Sequence, residues 1–356
     1  MSTPRRRWWL VLLVPLLLAL AACGDDDDSP EAAGDNGSTS ADVPTLRLGY
    51  FPNLTHAPAL VGVDQGIFEN ALEGKATLET STFNAGPEAV EALFADALDA
   101  SFIGPNPAIN AYAQSDGAAI RIVSGSTSGG AYFVVRDGID AADDLQGTTV
   151  ATPQLGNTQD VALRSWLKDE GLDADEAGGG DVSIQPQANG DALAAFVAGD
   201  IDGAWVPEPW ATRMVQEGGG HVLVDEADLW PEGEYVTTHL IVRTEFLDEN
   251  PEAVKALLEG TVDAIDAAND DPEAAKASSN AQLDELTDKP LDDAVLDAAW
   301  ENLTFTADPI ASSLEQGAAD AEAVGLLDPV ELDGIYSLDL LNEVLEDRGA
   351  TAVAAL

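Results

Sequence analysis

Three histidines (His56, His221, His239), one cysteine (Cys23) and 65 aspartates and glutamates could do acid-base, nucleophilic or metal chemistry in this 356-residue chain. The histidines are far apart, and none sits in a ligand spacing such as His-Glu-x-x-His, so no metal site is expected. No Gly-x-Ser-x-Gly elbow, Walker loop or Gly-x-Gly-x-x-Gly follows a strand, so nucleophilic, phosphoryl and hydride transfer lack their usual frames. A working pair of carboxylates could hide among so many, but nothing singles one out; no catalytic residue and no cofactor is assigned.

What recurs is an apolar strand, a short loop of small polar residues and a helix start. Asn53, Thr55 and His56 precede a helix at Ala57; Asn84-Ala85-Gly86 precede Pro87; Asn106 lies in Pro105-Asn106-Pro107; Ser126, Thr127 and Ser128 lie in the loop 124–130; Asn157 and Thr158 precede Gln159; and Glu208 and Trp210 lie in Trp205 to Trp210. A helix start presents unpaired backbone N–H groups and a partial positive charge, so several aimed at one cleft make an anion site without lysine or arginine. Each loop taken alone is better explained by capping of its own helix. Asp160, in the first turn after Thr158, complicates the picture, because its carboxylate can take the same donors. Glu208 either receives the amine of a zwitterion or caps the helix that follows it. Phe51, Tyr132, Trp205 and Trp210 are candidates to wall the organic part of a ligand.

The elements that must position these loops alternate. From Thr45 to about Ala227, short apolar strands (46–51, 76–83, 100–103, 120–125, 131–136, 148–152, 182–185, 203–206, 221–224) are separated by amphipathic helices, as in sheets covered on both faces. This is an α/β architecture. Residues 85–103 and 188–206 align without gaps at an offset of 103, and both segments stop at a Pro-x-Pro, 105–107 and 207–209. Two equivalent lobes facing one cleft follow. After Tyr235 come a long strand-like run to Val242, a helix from Pro251 and helices near 272–286, 291–303, 312–325 and 338–347. The chain is expected to cross between lobes near 136–141 and near 235–239, a double crossover of the kind that forms a hinge.

Arg5, Arg6 and Arg7 ahead of an apolar run from Trp8 to Leu20, then Ala21-Ala22-Cys23, read as a signal peptide with a lipid-modified Cys23; the arginines also loosely resemble a twin-arginine export signal. The expected organisation is a signal peptide over 1–22, a flexible acidic tether over 23–43, lobe 1 over 44–138, lobe 2 over 139–236 and a mainly helical second part of lobe 1 over 237–356. The formal net charge of −50 makes nucleic acid and anionic membrane surfaces poor partners. It suits a solvated surface in a salty medium, where screening confines distant charges to about 8 Å or less.

On the leader, Leu46 to Phe51 with His56-Ala-Pro-Ala59, Phe83 to Ala89, Ile103 to Pro107, Gly147 to Pro153 with Gly156-Asn157-Thr158, and Gly203 to Trp210, the chain resembles the extracytoplasmic solute-binding proteins of ABC importers. The branch resembled includes sulfonate, taurine, nitrate and thiamine-precursor binders. The resemblance implies a periplasmic-binding-protein type II fold: two α/β lobes joined by a hinge, with the C-terminal helices packed on lobe 1. It also implies no chemistry on the ligand, a membrane anchor at Cys23, and an ABC permease and its ATPase as partners. The expected ligand is a small anion or zwitterion, sulfonate-like in the first instance, with nitrate, bicarbonate or a thiamine pyrimidine as alternatives. The expected state is a monomer. An enzyme of thiamine-pyrimidine synthesis on the same fold is the alternative from another class.

Overall fold

The structure, a computed structural model, describes residues 43–175 and 177–355. The signal peptide, Cys23 and the tether up to 42 lie outside the described residues. Residues from Val43 onward form one compact unit.

The chain starts with β1 (Thr45–Tyr50), α1 (Ala57–Asp64), α2 (Ile67–Ala71), β2 (Thr77–Thr82), α3 (Gly86–Phe94), β3 (Ala100–Ile103), α4 (Pro105–Gln114) and β4 (Ile120–Gly129). Then come β5 (Ala131–Val135), β6 (Thr149–Thr152), α5 (Thr158–Asp169), β7 (Ser183–Pro186), α6 (Asn189–Ala198), β8 (Gly203–Pro207), α7 (Trp210–Gln216) and β9 (His221–Asp225). The remainder is β10 (Val236–Arg243), α8 (Thr244–Glu249), α9 (Pro251–Asp270), α10 (Pro272–Thr287), α11 (Asp293–Trp300), β11 (Leu303–Phe305), α12 (Ala311–Ala323) and α13 (Asp339–Asp347).

Two sheets form, ordered β11-β4-β10-β3-β1-β2 and β7-β6-β8-β5-β9. The five strands of the second correspond to β2, β1, β3, β10 and β4 of the first, in which β11 is an additional edge strand. In the first, β1 pairs in parallel with β2 and β3, then β10 joins β3 antiparallel and β4 joins β10 antiparallel. In the second, β6 pairs in parallel with β7 and β8, then β5 joins β8 and β9 joins β5, both antiparallel. The offset of 103 residues reflects this: α3 and β3 of lobe 1 map onto α6 and β8 of lobe 2, and the helix after each Pro-x-Pro, α4 or α7, follows. Strands such as β3 and β8 are buried along their whole length, because helices cover both faces of each sheet. The C-terminal helices pack on lobe 1, where Val254, Leu257, Leu258 and Leu341 share a core with Leu46, Leu48 and Phe102. Among the described residues no helix is long and apolar enough to cross a membrane.

Three expectations are corrected. The first crossover falls at Gly129-Gly130, not 136–141. Both glycines are left-handed (φ 79° and 75°), a conformation cheap only for glycine, and the chain leaves one sheet and enters the other there. Residues 131–138 therefore belong with lobe 2; Arg136 is tied there by its N–H to Asp202 O (2.9 Å) and its Nε to Ile201 O (2.6 Å). The second crossover occupies 226–235, ahead of β10, rather than 235–239. Second, Ser126, Thr127 and Ser128 form no loop: β4 runs to Gly129 because β10 and β11 pair with it on either side. Third, the helix expected over 291–303 stops at Trp300, and β11 follows as the edge strand that covers β4.

Candidate functional site

Where the lobes meet, a cavity of about 20 Å³ is lined by Phe51, Asn53, Thr55, His56, Asn84, Ala85, Gly104, Pro153, Asn157, Thr158, Gln159, Asn189, Pro207 and Thr237. That is room for about one water-sized group. Lobe 1 supplies the strand ends before α1, α3 and α4, and lobe 2 those before α5, α6 and α7. The lobes touch: a methyl group added at Gly104 would overlap Thr158 Oγ1.

Asn157 is the N-cap of α5, yet its side chain makes no cap bond; its Nδ2 donates instead to Gln159 Oε1 (3.0 Å). Ala85 before α3 and Ala188 before α6 are N-caps that carry no side chain able to cap. Three helices therefore open toward the cleft with first-turn N–H groups that no cap takes. Asp160 does not compete for them. Its Oδ1 accepts from Thr152 Oγ1 (2.8 Å), and its Oδ2 from Gly156 N–H (3.0 Å) and Arg164 Nε (3.0 Å). The pair with Arg164 is fully buried, so the carboxylate is neutralised one turn back from the helix start.

Two further polar groups face this space without partners. Thr158 Oγ1 and His56 Nδ1 are buried and make no hydrogen bond. His56 packs against Phe51 (ring centroids 4.4 Å apart), and burial pushes its pKa down to about 3, so the ring is a neutral hydrogen-bonding group near pH 7. No lysine or arginine lines the cavity. Among the described residues, no group of three or more His, Cys, Asp or Glu side chains is placed to hold a metal ion.

The sequence candidates divide. Asn53, Thr55, His56, Asn157, Thr158 and Gln159 line the cavity together. Asn53 Oδ1 also accepts from Trp210 Nε1 (2.8 Å), which joins the lobes. Gly86 stands just behind it, packed so closely on Pro107 that a side chain would not fit. Asn106 donates to Gly317 O (2.9 Å) and so holds α12 on α4; it faces a different, larger cavity. Ser126, Thr127 and Ser128 are buried in the lobe 1 sheet and line neither cavity.

Glu208 is the candidate whose role the geometry reassigns. Its Oε1 accepts from Thr212 Oγ1 (2.8 Å) and Asn302 Nδ2 (2.7 Å), and its Oε2 from Thr212 N–H (3.1 Å). It caps the start of α7 and bridges to lobe 1, so both oxygens already serve as structural acceptors; burial raises its pKa against these hydrogen bonds.

Asn189, Gly104, Pro207 and Thr237 were missed as cavity residues. The internal offset held the signal for one of them, since Asn189 corresponds to the candidate Gly86. The same offset relates Thr55 to Thr158. Thr237 comes from β10 and carried no local signal.

Set beside known proteins, the chain is 28% identical over 207 residues to the taurine-binding periplasmic protein of Escherichia coli (strain K12), a match covering 58% of this chain and 62% of that protein. Among solved structures, the alkanesulfonate-binding protein SsuA from Xanthomonas axonopodis pv. citri bound to MOPS superposes with a TM-score of 0.66 at 19% identity, covering 81% of this chain and 96% of that one. The periplasmic nitrate-binding protein NrtA from Synechocystis PCC 6803 gives 0.67 at 18% identity, covering 86% and 89%. The fold is thus that of type II periplasmic binding proteins. The pattern of the NMT1-like family matches residues 39–283, more than half of the chain, and the protein belongs to that family.

Proposed function

We propose that this protein is the extracytoplasmic solute-binding component of an ABC importer, holding a small sulfonate-like anion, such as taurine or an alkanesulfonate, between its lobes. The observation that carries the reading is the start of α5. No side chain caps its first turn and Thr158 Oγ1 lines the cleft unpartnered, while the nearest carboxylate, Asp160, is held by Thr152, Gly156 and Arg164. An anion there meets backbone donors and a helix dipole at contact distance, which outweighs a screened surface charge. The likeness to the taurine-binding relative supports the ligand class.

The reading is of a binder, not an enzyme. His56 is the one titratable side chain lining the small cavity, and a pKa of about 3 makes it a poor general base near pH 7. Delivery to a permease with its ATPase, attachment through a lipid on Cys23 and a monomeric state belong to the same proposal. A second reading, a compact trigonal anion such as nitrate or bicarbonate, is favoured by the cavity of only about 20 Å³.

A ligand bound to the folded state alone raises the melting temperature. The test is a thermal-shift panel in high salt with taurine, alkanesulfonates, nitrate, bicarbonate and the thiamine pyrimidine. A shift with the sulfonates supports the first reading, and a shift confined to nitrate or bicarbonate the second. No shift with any of them refutes both.

A further inference from the structure

Thr158 also lines a second, larger cavity of about 550 Å³, set between α5, α12 and the crossover 226–236. That is within the usual size of small-molecule sites. Its chemistry is the reverse of the small cavity's. Carboxylates (among them Glu226 and Asp320) and aromatic rings (Trp166, Trp230 and Tyr235) line it, and no lysine, arginine or histidine does.

The most buried of these acids is Glu226. Glu226 is 1% exposed and accepts a hydrogen bond from Trp205 Nε1 (2.7 Å). Asp320 accepts from Gln316 Nε2 (2.8 Å), and no basic side chain among the described residues pairs with either acid. Burial is the first cause that raises both pKa values, Glu226 to about 7. Trp230 stacks on Tyr235 (centroids 5.5 Å apart, planes within 7°). The Tyr235 hydroxyl, on a side chain only 1% exposed, has no hydrogen-bond partner. An unpartnered hydroxyl, uncompensated carboxylates and aromatic faces are what a desolvated organic cation needs.

We propose that this chamber is a cation subsite, taking the alkylated ammonium end of a zwitterionic ligand whose anionic end lies at the start of α5. Thr158, common to both cavities, marks where the two ends of the ligand join. The inference rests on the anion reading above and adds the ligand class: an amino-sulfonate with a substituted nitrogen. It also places the amine in this chamber rather than at Glu208, whose two oxygens already accept structural hydrogen bonds.

Calorimetry with an isosteric pair tests it: N,N,N-trimethyltaurine against 3,3-dimethylbutane-1-sulfonate, which differ only by nitrogen for carbon. The expected result is at least tenfold tighter binding of trimethyltaurine. That preference should fall at least fivefold in Asp320→Asn and in Trp230→Leu, with affinity for the carbon compound unchanged; Asp320→Asn is conservative and half-exposed, which guards against misfolding. Equal affinities in the native protein, or a preference that survives both substitutions, overturn the subsite and leave the anion reading standing. Choline is the third probe. If neither sulfonate binds but choline does, and Asp320→Asn weakens it, the anion reading fails and the subsite stands; if none of the three binds, both fail.

Discussion

Gly104 is the closest approach between the lobes at the candidate site, and replacing it with alanine turns that contact into a measurement. As the N-cap of α4 it has φ −70° and ψ 159°, which alanine adopts without strain. The added methyl would overlap Thr158 Oγ1, with Thr158 Cβ next at 3.5 Å. Overpacking of this kind costs about 1–3 kcal/mol, or a loss of roughly 5- to 150-fold in affinity. The cost falls on the closed arrangement, because the two residues belong to different lobes; unfolding of the ligand-free protein should hardly change. Removing the offending oxygen with Thr158→Ala leaves only the ordinary contact at 3.5 Å. The Gly104→Ala penalty should therefore be much smaller in the Thr158→Ala background, a coupling of about 1–3 kcal/mol. Thr158→Ala alone should weaken the anion by about 1.5–3 kcal/mol, the value of a hydrogen bond to a charged group. It should cost little stability, since Asn157 and not Thr158 is the N-cap. The assay is calorimetric titration of the four proteins with taurine, alongside radii of gyration from solution scattering. Wild-type affinity in Gly104→Ala, or penalties that simply add, would refute closure of Gly104 onto Thr158.

Other substitutions probe the supports of the site. Asp160→Ala leaves the Arg164 guanidinium buried without its carboxylate, so denaturant unfolding should show a loss of about 3–5 kcal/mol; a loss below 1 kcal/mol contradicts the buried pair. Asn302→Ala removes the side-chain donor that ties the Glu208 carboxylate to lobe 1, leaving the Leu54 N–H bond to its carbonyl, and should enlarge the radius of gyration and lower ligand affinity while Thr212 keeps Glu208 in place. Glu226 has a folded pKa of about 7, raised from 4.5, so its contribution to stability is fully present below pH 4.5 and is lost as pH rises through 7. Glu226→Gln keeps an acceptor for Trp205 and cannot ionise. Its stability relative to the native protein should therefore rise by about 3 kcal/mol between pH 4.5 and 8. Buried His56 and His239, with pKa values lowered to about 3 and about 4, drive the opposite trend: stability falls as pH drops below 6.5, and this cancels in the comparison. A difference that does not vary with pH rules out a buried, unpaired carboxyl.

The sequence by itself determined the architecture and pointed to the loops that form the candidate site. Apolar runs such as 100–103 and 203–206 lie between amphipathic helices, and helix starts follow strands through small polar residues; both are local properties, set by side-chain periodicity and by the four N–H groups that every helix leaves open. The offset of 103 residues even held the equivalence of Gly86 with Asn189, although that consequence emerges only when both helix starts are seen at one cavity. Long-range pairing decided the rest. Ser126 to Ser128 look like a polar loop, but become strand because β10 and β11, more than a hundred residues away in sequence, supply hydrogen-bond partners. The lobes divide at Gly129-Gly130 rather than near Gly138, because the partners of β5 lie in the second sheet. Glu208 is a cap and a bridge because Asn302 arrives from lobe 1. Whether Asp160 blocks its own helix start was undecidable from spacing alone. A carboxylate goes where its strongest partners are, and only the fold brings Thr152 and Gly156 to join Arg164 around it, leaving the N–H groups at Thr158 open.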